Sequence, residues 1–250
     1  MGYYPAFKSI PRLHREVTIT EKLDGTNGLI AIDEHSFGES AVLEDLGSVA
    51  VVLGSEVGED GLPLWETWVR SGSRNRWITP DADNHGFAKW VYENRASLVA
   101  DLGCGMHYGE WWGSGIQRGY GLTKGEKRFS LFNVARWTEE VPAERFSVPT
   151  VKALTFTTPG LGVVPVMKWK SPGDQITDSV SACLGALRLN GSLAAPGFSN
   201  PEGIVLYHHA ANTMFKVTLE DDEVPKRVAA HRSKGSLRQF AQGAKEGTAA

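Results

Sequence analysis

"TITEKLDGTNGLIAID", residues 18–33, sets two extended runs on either side of a charged turn. Thr18-Ile19-Thr20 alternates polar and apolar, and Gly28-Leu29-Ile30-Ala31-Ile32 is a short apolar run, so both read as strands. Lys22, Asp24 and Gly25 fall where the strands meet, and the expectation is an opening hairpin whose turn carries a lysine and an aspartate two residues apart. Lysine, aspartate and glycine also populate ordinary surface turns. What this turn does is therefore decided by the rest of the chain.

Outward from the turn, "VVLG" at 51–54 reads as a strand. A helical pattern follows Asp83, with Phe87, Trp90, Val91 and Leu98 on one face and Gly103 as its stop. Met106 to Trp112 and Phe129 to Val134 read as strands, separated by "GSGIQRGYGLTKGEKR", which is too rich in charge and glycine to be core. "LGVVPVMKW" at 161–169 reads as one strand, 174–191 as a helix through Ile176, Val180, Cys183, Leu184 and Leu187, and "GIVLY" and "MFKVTL" as two closing strands. The expectation is an α+β fold over residues 1–220, antiparallel sheets flanked by helices. Residues 221–250 carry Lys226, Arg227, Arg232, Lys234 and Arg238 and then small polar residues. They read as a short basic helical tail with a frayed end.

Composition excludes several classes. The chain has 250 residues, 41% apolar, which fills a real core, and a formal net charge of -3, so nucleic acid could be drawn only to a local basic patch. Cys104 and Cys183 lack metal-ligand spacing, which argues against a structural zinc site and a disulfide framework. His208-His209 has no partner ligand nearby and reads as strand-end surface. No run approaches the roughly 18 apolar residues of a membrane helix, and the N-terminus lacks a signal-peptide core. A cytoplasmic protein is expected, with no membrane partner.

Lys22-Leu23-Asp24-Gly25 matches K-x-D-G, and with Glu21 and Asn27 the stretch becomes EKxDGTN. Downstream, in order, stand Ser73-Arg74-Asn75-Arg76, Tyr108-Gly109-Glu110-Trp111-Trp112-Gly113, Phe129-Ser130-Leu131-Phe132-Asn133-Val134, Glu202-Gly203-Ile204-Val205 and Phe215-Lys216-Val217. This series resembles motifs I, Ia, III, IIIa, IV and V of the covalent nucleotidyltransferases, the superfamily of nucleic-acid ligases and mRNA capping enzymes. It is most similar to the RNA ligase 2 branch, and it runs from about residue 18 to about 219. The resemblance implies a nucleotidyltransferase domain with the ATP site between its sheets and Lys22 as the nucleophile that becomes adenylylated. It also implies a nucleotide site of Glu21, Lys22, Asn27, Arg74, Glu110, Phe132, Glu202 and Lys216, with Asp24 and Glu202 holding Mg²⁺ or Mn²⁺.

The residue types suit that chemistry on their own terms. A lysine amine attacks phosphorus only when unprotonated, which neighbouring cations and partial burial favour. Lys216, Arg74 and a metal are the candidates for that charge, and they also stabilise the phosphoryl group as it is attacked. Asp24 and Glu202 offer the hard oxygens that Mg²⁺ prefers, and Gly25 lets the backbone turn close to phosphate. Phe132, placed on a strand, is either a face for adenine or ordinary core. Glu110 suits a ribose hydroxyl. Arg74 is a phosphate ligand or a solvated loop charge, and Arg76 the weaker case. Of Trp111 and Trp112, at least one belongs to the core, because neighbours on a strand face opposite sides.

Departures from the branch are visible too. Asp24 stands where that branch typically has histidine, Asn133 where an acidic residue is usual, and Thr218 where a second lysine is usual, which leaves the site one cation poorer. About thirty residues follow the last strand, too few for an OB-fold, so a stand-alone core is expected. The implied activity is ATP-dependent joining of 5′-phosphate and 3′-hydroxyl ends of RNA, or DNA, with room for a partner protein that supplies end specificity. Basic stretches at 70–76, 118–128 and the tail, interleaved with aromatic residues, suit a phosphate-backbone groove. A GTP-using capping enzyme, a DNA ligase core and a non-catalytic nucleotide- or RNA-binding module are the alternatives.

Overall fold

The computed structural model describes residues 10–36, 50–54, 56–141 and 150–220. In chain order its elements are β1 (Val17–Lys22), β2 (Thr26–Ser36), β3 (Ala50–Leu53), β4 (Trp65–Gly72), β5 (Trp77–Ile78), α1 (Phe87–Glu93), α2 (Arg95–Leu102), β6 (Gly105–Gly113), β7 (Lys127–Leu131), α3 (Val134–Trp137), β8 (Thr138–Val141), β9 (Thr150–Ala153), β10 (Leu161–Val163), β11 (Val166–Ser171), α4 (Ile176–Asn190), β12 (Gly203–His208) and β13 (Thr213–Thr218). The fold is α+β. A smaller sheet has the order β11-β1-β12-β13, and a larger one the order β10-β7-β6-β2-β4-β3, with β5 also paired to β4. A separate pair joins β8 and β9. The basic tail at 221–250 lies outside the described residues.

The opening segment is not a hairpin. β1 is hydrogen-bonded on one edge to β11 and on the other to β12, while β2 is held between β4 and β6. A strand has only two edges, so neither has one left for the other. The three residues Leu23, Asp24 and Gly25 instead carry the chain from one sheet into the other. A second expectation fails in the same way. Residues 161–169 are two strands, β10 running parallel to β7 in the larger sheet and β11 antiparallel to β1 in the smaller. Pro165 lies at the crossing, where its missing N–H costs no ladder bond, and its carbonyl accepts the Glu21 N–H at 2.9 Å.

Helices cover the outer faces. α1 and α2 lie on the larger sheet, where Phe87, Val91 and Leu98 pack with Ile30, Ile32, Trp111 and Phe129. The helical stretch read as continuous breaks at Asn94, whose side chain bonds back to the Trp90 carbonyl at 2.8 Å and competes with the helical ladder. Asp83 caps its start, accepting the Ala88 and Lys89 N–H groups at 2.8 and 3.0 Å. α4 lies on the smaller sheet, where Cys183 and Leu187 meet Val17, Ile19, Ile204 and Leu206.

A third cluster joins the sheets: Leu23, Trp112, Tyr120, Val134, Val164, Trp169 and Ala195. Trp111 and Trp112 are both buried, one against the helices and one between the sheets. The glycine-rich loop was expected to be surface, yet Ile116 and Tyr120 from it are buried. Two large side chains are enough to fold a charged loop inward, because Lys124 and Glu126 stay outside and Arg118 is ion-paired to Asp24. His208 is likewise buried rather than strand-end surface. Its Nδ1 accepts the Ala211 N–H at 3.1 Å, so Nε2 carries the proton and donates to the Leu13 carbonyl at 2.7 Å.

Gly28 is where β2 passes under the aromatic core. A Cβ there would lie 2.7 Å from Phe87 Cζ and 2.8 Å from Phe129 Cε2, inside contact distance. Gly28→Ala should therefore lower unfolding stability by about 1–3 kcal/mol through overpacking, measured by urea denaturation, with an unchanged midpoint contradicting this packing.

Candidate active site at the crossing between the sheets

Lys22 is the last residue of β1, and its row across the smaller sheet continues through Gly203 to Thr218. Its Nζ donates to Glu202 Oε2, and both side chains are largely shielded from solvent. Glu202 immediately precedes β12, so the pair joins the end of one strand to the start of its neighbour.

The crossing that follows is held at each residue. Leu23 is buried in the inter-sheet cluster. The Asp24 N–H donates to Tyr120 Oη at 2.9 Å, and that hydroxyl donates to the Lys22 carbonyl at 3.4 Å. The Gly25 N–H donates to Glu110 Oε1 at 3.0 Å, while Asn27 Nδ2 donates to Glu110 Oε2 at 3.2 Å. A Cβ on Gly25 would lie 2.3 Å from the Trp111 carbonyl oxygen, so no other residue fits without moving β6.

Two of the three carboxylates at the crossing are ion-paired, Glu202 with Lys22 and Asp24 with Arg118. Asp24 Oδ2 accepts from Arg118 Nε at 3.1 Å. Arg118 Nη1 also donates to the Asn200 side-chain oxygen at 2.8 Å and to its carbonyl at 3.2 Å, and Nη2 lies 3.5 Å from Glu220. Glu110 has its pKa pushed up from 4.5 to about 7, chiefly by burial, with the Glu202 and Asp24 charges adding to the rise and Lys22 and the Gly25 N–H opposing it. Burial also pushes the Tyr120 phenol up, so it remains a neutral hydroxyl.

The other sequence candidates are distributed unevenly. Asn27 and Glu110 are directly paired across β2 and β6. Phe132 lies just past the end of β7 rather than on a strand, its N–H bonded to the Tyr108 carbonyl at 2.9 Å. It is 37% exposed and so is not core. Lys216 is exposed on β13, in the row that passes through Val205 to Thr20, hence on the same face as Lys22. Glu21 points to the opposite face of β1. Its Oε2 accepts the Leu193 and Ala194 N–H groups at 2.8 and 3.0 Å, Oε1 is buried without a hydrogen-bond partner, and burial raises its pKa. Its carboxylate braces the loop after α4. Arg74 and Arg76 are exposed between β4 and β5 and make no ion pair among the described residues. Sequence reasoning passed over Tyr120 and Asn200 and read Arg118 only as the start of a basic stretch, whereas its guanidinium is bonded to Asp24 and Asn200. An aromatic residue between two glycines in a charged loop was the one available sign, and Tyr120 does adopt a left-handed conformation there, φ 49°.

Among the described residues no group of three or more His, Cys, Asp or Glu side chains is placed to hold a metal ion. Mg²⁺ commonly uses only one or two carboxylates together with substrate phosphates. Glu202 and Asp24 flanking Lys22 fit an ion that arrives with a polyphosphate, Glu202 better, because Asp24 is already neutralised by Arg118.

Residues 15–218 match the RNA ligase family, a span that includes both sheets and Lys22, Glu110, Arg118, Tyr120 and Glu202. A search of curated proteins finds no match.

Glu110 binds a proton more tightly folded than unfolded, so its contribution to stability is complete below about pH 4.5 and is lost as pH rises through about 7. At about 1.4 kcal/mol per pH unit, the loss is about 3 kcal/mol. Glu110→Gln should flatten the stability profile over that interval, read by denaturation at pH 5 and 7.5. A variant with the parent's slope would show that Glu110 ionises as an ordinary surface carboxylate.

Proposed function

The chain belongs to the RNA ligase family, and from that premise we propose that it is an ATP-dependent polynucleotide ligase that seals 5′-phosphate to 3′-hydroxyl ends through a covalent lysyl-AMP intermediate on Lys22. The observation that carries this reading is the Lys22 amine bonded to Glu202 at the end of a crossing that cannot shift. Preorganisation of that kind is what turns a side chain into a nucleophile for a bound substrate.

In the first step Nζ, oriented by Glu202 Oε2, loses one proton to solvent and attacks the α-phosphorus of ATP. The N–P bond forms, the bond from the α-phosphorus to the bridging oxygen breaks, pyrophosphate leaves, and the second proton lost from nitrogen passes to solvent. In the second step an oxygen of the 5′-phosphate end attacks the same phosphorus, the N–P bond breaks as the lysine nitrogen takes back its protons from solvent, and AMP is carried on the polynucleotide as a 5′–5′ pyrophosphate. In the third the 3′-hydroxyl attacks the 5′-phosphate, losing its proton to solvent, and AMP departs as the phosphodiester forms. Mg²⁺ or Mn²⁺ delivered with the phosphates, held by Glu202, would supply Lewis-acid stabilisation of the charge on phosphorus.

The rest of the site supports recognition. Phe132 offers an exposed aromatic face for adenine. Glu110, near half-protonated at neutral pH, can donate to or accept from a ribose hydroxyl while holding Gly25 and Asn27. Lys216 and Arg74 are exposed cations suited to the outer phosphates.

The reading is tested with a nicked RNA duplex, Mg²⁺ and either ATP or GTP. The parent should seal the nick with ATP alone. Lys22→Ala should fail with ATP yet still seal a pre-adenylylated nick, since the third step needs no lysine nucleophile. Sealing of the ordinary nick by Lys22→Ala, or by the parent with GTP alone, would overturn it. Phe132→Ala should weaken ATP use by about 1–3 kcal/mol, the worth of one stacking platform, with little change in melting temperature. A sharp fall in melting temperature with ATP use intact would return Phe132 to the core.

A further inference from the structure

Arg118 belongs to none of the motifs that carry the resemblance, yet it bonds to three separate segments around Lys22. Its guanidinium meets Asp24 in the crossing, Asn200 two residues before Glu202, and Glu220 beyond β13. These are three separate segments: the crossing that follows Lys22, the stretch that leads into Glu202, and the residues just past β13. Its donors are also distinct: Nε serves Asp24, Nη1 serves Asn200, and Nη2 faces Glu220. A planar fork holds three partners in one geometry, which a lysine ammonium on a flexible stem does less well.

The loop that carries Arg118 is itself anchored. Ile116 and Tyr120, two residues to either side, are buried, and the Tyr120 hydroxyl bonds to the backbone of both Asp24 and Lys22. Gln117 and Tyr120 both sit at positive φ, 43° and 49°, a conformation that non-glycine residues adopt at a cost. Arg118 is only about one-fifth exposed, so its bond to Asp24 is less screened by water than a surface pair would be.

We propose that Arg118 is a positioning residue for the first step: it clamps the Lys22–Gly25 crossing to the segment that leads into Glu202, and so, together with the β1–β12 ladder, holds the lysine amine against the Glu202 carboxylate. The inference rests on the ligase reading for its kinetic consequence and on geometry alone for its structural one. Asp24 is then the handle of the clamp. Without Arg118, an unpaired carboxylate remains two residues from Lys22, and Asn200, which lies outside the ladder that begins at Gly203, loses its bond to the crossing.

The test combines single-turnover adenylylation with hydrogen–deuterium exchange on Arg118→Ala, Arg118→Lys and Asn200→Ala. Arg118→Ala should lose at least tenfold in the rate at saturating ATP, with a smaller change in half-saturating ATP concentration. Arg118→Lys should recover part of that rate, and Asn200→Ala, which cuts the other arm of the clamp, should lose rate in the same sense. Amide exchange at residues 23–27 should quicken in Arg118→Ala while α4 keeps the parent's protection. Parent rates in Arg118→Ala, or unaltered exchange at 23–27, would overturn the clamp. If Arg118→Ala does not fold, Arg118→Lys and Asn200→Ala decide the matter, and parent rates in both would overturn it. A parent chain that takes up no AMP would sink the ligase reading, while the exchange measurement would still test the clamp.

Discussion

Three residues carry the chain from one sheet to the other between Lys22 and Thr26, and the site is a consequence of how tightly that crossing is held. β1 and β2 have every edge occupied by other strands, so the crossing cannot relax into a hairpin. Leu23 fastens it from within, Gly25 lies against the β6 backbone at a distance that admits no Cβ, and Glu110 takes the Gly25 N–H. Lys22 is thereby delivered at the end of a strand with its main chain immobilised and only its side chain left to move. That economy suits a nucleophile, since little conformational entropy remains to be lost when a substrate binds.

The same crossing concentrates carboxylates. Asp24, Glu110 and Glu202 all approach it, and burial without compensation would be costly. Each is dealt with differently: Asp24 by Arg118, Glu202 by Lys22, and Glu110 by a pKa raised to about 7 together with two donors. Glu21, one residue before Lys22 but on the other face of β1, is handled by backbone donors after α4. Two adjacent residues thus serve opposite ends: Glu21 holds the smaller sheet to its covering loop, and Lys22 presents its amine to the space beside the larger sheet.

Much of this was legible in the sequence because its determinants are local. The residue types around Lys22, the helical spacing through Cys183 and Leu187, and the strands around Glu110 and Lys216 follow from periodicity and short motifs. The two errors of topology share one cause, which is that local pattern does not say which strand pairs with which. The alternating run before Lys22 and the apolar run after it look the same whether the two strands pair with each other or with others, and the run at 161–169 is mostly apolar on both sides of its sheet change. Pro165 was the available mark of that change. Arg118 could not be found in this way, because its meaning depends on Asp24, 94 positions away, and on Asn200, 82 positions away. Tyr120 and Ile116 were hidden by the charges of their own loop.

The central claim is that Lys22, and no other lysine, becomes covalently bonded to AMP. The direct measurement is peptide mapping by mass spectrometry after incubation with ATP and Mg²⁺, kept at neutral to alkaline pH because an N–P bond is labile to acid. The account predicts one AMP adduct, on the peptide containing Lys22, absent when GTP replaces ATP and discharged by added pyrophosphate. An adduct on a different lysine, or none on a folded chain whose Lys22 peptide is fully recovered unmodified, would contradict it.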